Sequence, residues 1–127
     1  MNQRLAAYLE QRILAADPVE LIRILYQSAI CEVREARRHL EAHDIEARSK
    51  SISKTMAILD ELSGSLDLSQ GEISEGLARL YDYIQGQLIE ANFGQSDRPL
   101  AEVLGLLTTL AEGWEGVPSQ ARGPALV

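Results

Sequence analysis

Apolar residues return at alternating steps of four and three through Ile22, Tyr26, Ala29, Val33, Ala36 and Leu40, which sets all of them on one face of a helix. Its start is marked by Asp17-Pro18-Val19-Glu20. Asp can accept hydrogen bonds from the free amides of a first turn, Pro suits the first helical position, and Glu20 can reach back as a capping box. A first helix is therefore predicted from about Pro18 to about His43, with His43-Asp44 as the break. A second period runs through Ile52, Met56, Leu59, Leu62 and Leu66, with Ser49, Lys50, Ser53 and Lys54 on its wet side. Ser69-Gln70-Gly71 punctuates the chain. Ile73, Leu77, Leu80, Ile84, Leu88 and Ala91 then mark a third helix, ending near Asn92-Phe93-Gly94, where Gly can supply a left-handed turn. A turn is expected over Asp97, Arg98 and Pro99. Leu100, Val103, Leu107, Leu110 and Trp114 mark the fourth helix, and a frayed tail is expected beyond it.

Short connections force sequential helices side by side, so this pattern predicts an all-α fold, an antiparallel up-down four-helix bundle. Residues 17–115 form its domain, preceded by a cap segment over 1–16 and followed by a disordered tail over 116–127. Leu5, Leu9 and Ile13 lie four apart, so the cap segment reads as a short N-terminal helix or arm packed on the bundle.

A bundle seam requires an apolar stripe about two-sevenths of each helix wide, and several helices exceed it. Leu21, Ile24 and Leu25 flank the stripe of the first helix, Ile58 that of the second, and Leu104 and Leu106 widen the fourth. Two readings stand side by side. The surplus fills a compact core or meets the N-terminal segment, or it forms a groove for a partner's amphipathic helix. The N-terminal segment would cover that groove when the partner is absent.

Composition narrows the function classes. The chain has 127 residues, enough for one domain, and 46% hydrophobic against 5% aromatic residues leaves aliphatic side chains to build the interior. A net charge of -7 repels a phosphate backbone, so nucleic acid is not an expected partner. Charges interrupt every long apolar stretch, so membrane insertion is not expected either. The single cysteine, Cys31, and a start without a signal peptide fit a reducing cytoplasm. Cys31, seven residues after Ile24 and beside the apolar stripe, reads as a small core hydrophobe.

Candidate chemistry adds little. His39 and His43 lie a turn apart near the end of the first helix, where they suit its carbonyl end, and His39-Leu40-Glu41 lacks the order of a zinc protease motif. No phosphate loop and no paired acid, base and nucleophile are apparent, so no enzyme activity and no cofactor are expected. Tyr26, Tyr81 and Tyr83 either pack their rings with hydroxyls at the rim or meet a partner. Asn92 either bonds the loop backbone or meets a partner, and Trp114 plugs the core.

The motifs also carry a resemblance. Tyr8, then Pro18 ten residues on, Leu21-Ile22 and Leu25-Tyr26 are similar to the tyrosine, Ser-Pro helix start and Leu-Tyr pair of the FliS family of flagellin export chaperones, with Asp17 where Ser is usual. Ile58-Leu59-Asp60-Glu61-Leu62, Leu66-Asp67, Gly71-Glu72-Ile73, Leu77, Leu88, Val103 and Trp114 resemble the family pattern in order and spacing, as does a second Leu-Tyr pair, Leu80-Tyr81, with Asn92 eleven residues after the tyrosine. The resemblance spans about residues 8 to 114.

It implies a cytosolic chaperone without enzyme activity that binds the C-terminal helical region of flagellin, prevents premature polymerisation and helps deliver its client to the flagellar type III export apparatus. In the family the client wraps the bundle in a largely extended path with short helices in apolar grooves, and the chaperone's N-terminal segment covers part of that surface when free. Combined with the surplus apolar positions, it gives a set of expected client contacts: Tyr8, Leu9, Leu25, Tyr26, Ile58, Leu62, Leu77, Tyr81, Ile84, Asn92, Val103 and Leu107. The rival is a generic helical interaction module, such as a bundle that self-associates through its surplus stripe; oligomeric mass separates the two.

Overall fold

The computed structural model describes residues 18–67, 69 and 71–117, and the cap segment expected over 1–16 lies outside them, as does most of the tail. Four helices follow in order: α1 Pro18–Glu41, α2 Ile45–Gly64, α3 Glu72–Gly94 and α4 Asp97–Glu115. Each packs against its neighbour in sequence, and α1 packs against α4, which closes a four-helix ring. Cross-links fix the antiparallel sense. Arg23, early in α1, donates to the carbonyls of Trp114 and Val117, while Arg37, late in α1, meets Asp97 at the start of α4. Arg48 near the start of α2 likewise reaches Asn92 near the end of α3.

The buried faces follow the predicted stripes. Ile22, Tyr26, Ala29, Val33 and Ala36 from α1 meet Ile52, Leu59 and Leu62 from α2, Ile84, Leu88 and Ala91 from α3, and Leu100, Val103 and Leu107 from α4. Leu40, Met56, Leu66, Leu77, Leu80, Leu110 and Trp114 are half-buried against them. Burial of these aliphatic faces is the main force holding the helices together, since most helical stability in a protein comes from packing an amphipathic face and not from propensity alone.

Several local expectations need correction. Ile73, assigned to the inward stripe of α3, is 68% exposed, and Ser74 is buried instead. Ile73 sits in the first turn of α3, where the helix has just left the loop and little packs over that side. Cys31 is exposed, because Ile30 takes the core-facing position and Cys31, one step round the helix, points outward. Asp97-Arg98-Pro99 is the first turn of α4, not a loop; a first-turn Pro costs no hydrogen bond, because those amides have no partner within the helix. The α2 helix begins at Ile45, with the Asp44 carboxylate accepting from the Ala47 amide at 3.1 Å, so Asp44 both breaks the chain and caps the next helix.

The left-handed turn after α3 falls on Gln95 (φ 49°), one residue past Gly94, and the amide of Ser96 then reaches the carbonyl of Ala91 at 3.2 Å. A Cβ is costly in this conformation. Gln95→Gly is therefore expected to stabilise the protein by about 0.5–1 kcal/mol, read as a rise in the urea midpoint at unchanged slope.

Tyr26 and Tyr81 cross the bundle from α1 to α3 and share a hydroxyl–hydroxyl hydrogen bond in the core. Burial is the main cause raising both phenol pKa values, partly offset at Tyr26 by hydrogen bonds from Tyr81 and Trp114, so both stay neutral at physiological pH. The hydroxyls do not point to the rim. Tyr81→Phe removes the buried hydroxyl that pairs with Tyr26 and is expected to cost about 1–2 kcal/mol in a denaturation series.

Candidate functional site

The outer seam between α1 and α2 carries a cleft walled in part by apolar side chains. Leu21 and Leu25, four apart on α1, face the last turns of α2 across a cleft of about 530 Å³ that is also lined by Asp60, Glu61, Gly64 and Ser65. Ile58, three residues before Glu61 on α2, is half-buried against the core. Leu25 also touches the core, while Leu21 is half-buried without belonging to the core cluster. Gly64 leaves its share of the cleft open, since nothing lies within 4 Å of where its Cβ would stand. The Asp60 carboxylate accepts from the Gln85 side chain of α3 at 3.0 Å, which fixes its orientation at the rim.

A second cleft, about 560 Å³, lies on the opposite seam of α1 and is lined by Arg34, Arg37, Arg38, Leu40, Glu41 and Asp97. Two of its cations are already engaged. Arg37 grips Asp97 through two bonds of 2.8 Å, and the bond from Arg37 holds the Asp97 carboxyl below its ordinary value. Arg38 binds Glu35, a turn away on its own helix. This cleft therefore works mainly as a clasp between α1 and α4.

The expected client contacts separate into groups. Leu25, Ile58, Leu77 and Asn92 are half-buried, with Leu25 in the cleft on the α1–α2 seam. Tyr26, Leu62, Tyr81, Ile84, Val103 and Leu107 are enclosed by the bundle, so a docked chain would reach them only by displacing their neighbours. Tyr8 and Leu9 lie outside the described residues. Asn92 accepts from Arg48 Nε at 3.1 Å and from Ser49 Oγ at 3.0 Å, and its carbonyl accepts from Arg48 Nη2 at 3.1 Å. These bonds tie the start of α2 to the end of α3. Arg48 is only 3% exposed, and its cation is well matched to the carbonyl end of α3.

Sequence reasoning singled out Leu21 as surplus but did not place it among the contacts, and it gave the carboxylates of Asp60 and Glu61 no role. The signal for the rim was their spacing on α2, four residues before Gly64 and Ser65, which puts these residues on one side of the helix. Among the described residues no group of three or more His, Cys, Asp and Glu is placed to hold a metal ion, and no helix is long and apolar enough to cross a membrane.

A narrow apolar groove on a four-helix bundle is a common arrangement, and comparison with known proteins decides which bundle this is. A family model described as "Flagellar protein FliS" matches residues 1–121. The chain belongs to the FliS family. It is 35% identical over 114 residues to the flagellar secretion chaperone FliS of Salmonella typhimurium, covering 88% of this chain and 84% of that protein. It is 32% identical over 118 residues to flagellar secretion chaperone FliSB of Pseudomonas aeruginosa, covering 92% of this chain and 94% of that protein. With FliS of Bacillus subtilis it shares 30% identity over 109 residues, 86% of this chain and 81% of that protein. The FliS match takes in both walls of the α1–α2 groove and the Arg48–Asn92 tie.

Proposed function

We propose that this FliS family member is a cytoplasmic flagellar secretion chaperone that binds the C-terminal helical segment of flagellin, keeps it from polymerising early and helps deliver it to the flagellar type III export apparatus. Support comes from relatives that are named flagellar secretion chaperones and align along most of their own length. The observation that carries the reading is the cleft over Leu21 and Leu25 on the α1–α2 seam, where Leu21 lies outside the core cluster. Flagellin subunits associate through apolar helical stripes, and a chaperone that covers one such stripe first removes it from self-assembly. Ordering a disordered client segment consumes several kcal/mol of the gross contact energy, roughly 2–5, which leaves binding reversible enough for hand-over. The relatives' names describe a non-enzymatic role, and no catalysis is assigned.

Of the expected contacts, Leu25 and Ile58 are proposed for the groove, with Tyr8 and Leu9 in a segment that competes with the client; Leu77 and Asn92 would serve a client that continues across α3. Tyr26, Leu62, Tyr81, Ile84, Val103 and Leu107 would then act from beneath, by shaping the walls. Polymerisation of purified flagellin, followed by light scattering, is expected to stop when an equimolar amount of this protein is added. Unimpeded polymerisation would contradict the chaperone reading. The self-association alternative draws on exposed Ile45, Ile89 and Phe93, the last 86% exposed. A concentration-independent monomer mass in sedimentation would set it aside.

A further inference from the structure

The groove's rim is acidic, and its charge has no counterpart among the described residues that line it. Asp60 and Glu61 both edge the cleft, and none of its described lining residues is a cation. Asp60 is held in place by the neutral Gln85 amide, which leaves its negative charge uncompensated. Glu61 is exposed, and its carboxylate bonds to nothing among the described residues. Adjacent carboxylates repel each other, and the chain's net charge of -7 adds to the local field instead of relieving it. An apolar cleft edged in this way favours an amphipathic segment with a cation beside its apolar face, and disfavours an equally apolar segment flanked by acids.

We infer that Asp60 and Glu61 make the α1–α2 groove selective for client segments that carry Arg or Lys within a turn of their apolar anchors. This rests on the chaperone reading above and adds the chemistry of the partner. The apolar floor of Leu21 and Leu25 supplies most of the affinity. The two carboxylates set the orientation and register of the client, since an extended or helical segment laid in the reverse direction moves its cation away from the α2 end of the groove. Rim charges of this kind act on association rate and salt dependence more than on total affinity.

The test titrates the full chain and its Asp60→Asn/Glu61→Gln variant calorimetrically with a peptide covering the last ~40 residues of flagellin from the same organism, a length of several helical turns. A second peptide has its Arg and Lys residues replaced by Gln. The Asp60→Asn change keeps an acceptor for the Gln85 amide, and Glu61→Gln alone, at an exposed position, serves as a second variant with no fold cost. The unaltered pair is expected to bind about five-fold more tightly than the variant pair at ~0.05 M salt, with the gap closing at ~0.5 M salt as the charges are screened. The uncharged peptide should bind both proteins alike, completing a double-mutant cycle. Equal affinities and equal salt slopes for the charged peptide would overturn the inference while leaving the chaperone function in place. Tighter binding by the variant would also overturn it, because the rim would then be holding this chain's own N-terminal segment, which carries Arg4 and Arg12. Failure of the unaltered protein to bind the peptide at all would overturn the function reading and the rim's role together.

Discussion

Leu88→Ala is expected to lower the unfolding free energy by about 3 kcal/mol, among the largest single losses available in this chain. Leu88 is fully buried on α3 between Ile84 and Ala91, and it faces the ring formed by the other three helices. Removing three carbon atoms there forfeits the transfer free energy of the side chain and leaves a cavity that four mutually braced helices cannot collapse to fill. For a domain of this length the melting temperature should fall by roughly 10–15 °C, with the transition still cooperative. Thermal and urea denaturation followed by circular dichroism measure it. A loss below about 1 kcal/mol would mean that the site is not enclosed as described.

The second large effect concerns binding and not folding. A Leu21→Gln/Leu25→Gln variant is expected to bind the C-terminal flagellin peptide about thirty-fold more weakly, because each Leu in the groove loses on the order of 1 kcal/mol of apolar burial when the client covers it. The fold should survive. Leu21 is outside the core cluster and Leu25 only touches it, and Gln is a good helix former, so a stability loss of no more than about 1 kcal/mol is expected. Affinity by calorimetry and stability by urea denaturation, measured on the same preparation, separate the two effects. Unchanged affinity in a folded variant would move the client off the α1–α2 seam.

Much of the bundle was legible because helix periodicity is a local property. The inward faces of all four helices follow apolar residues three and four apart. The failures lie where a residue's environment depends on a distant part of the chain. Ser49 belongs by pattern to the wet side of α2, yet it is half-buried because Asn92, on another helix, accepts its hydroxyl. Arg48 is buried for the same reason, and nothing near it in sequence announces a partner 44 positions away. Thr55 satisfies itself by donating to the carbonyl of Ser51 at 2.9 Å, which lets a polar residue occupy the seam without a conspicuous pattern.

The candidate site was less legible than the fold. Of the surplus apolar positions Leu21, Ile24, Leu25, Ile58, Leu104 and Leu106, Leu21 and Leu25 line the cleft on the α1–α2 seam, whereas Ile58, Leu104 and Leu106 are half-buried against the core. Tyr26 and Tyr81 were left between packing and contact, because a tyrosine's ring and hydroxyl give the same sequence signal in either place; the hydroxyl bond across the core is visible only in three dimensions. Asp60 and Glu61 figured in the sequence only as part of the Ile58-Leu59-Asp60-Glu61-Leu62 motif, without a role of their own. Their significance comes from the groove beneath them, which exists only once α1 and α2 are laid side by side.

The most direct measurement is calorimetric titration of the intact protein with a peptide covering the last ~40 residues of flagellin from the same organism, repeated over a range of temperatures. One-to-one binding with a large negative heat-capacity change is expected, the mark of apolar surface leaving water as the client enters the groove. Absence of binding by protein that circular dichroism shows to be folded would contradict the chaperone assignment.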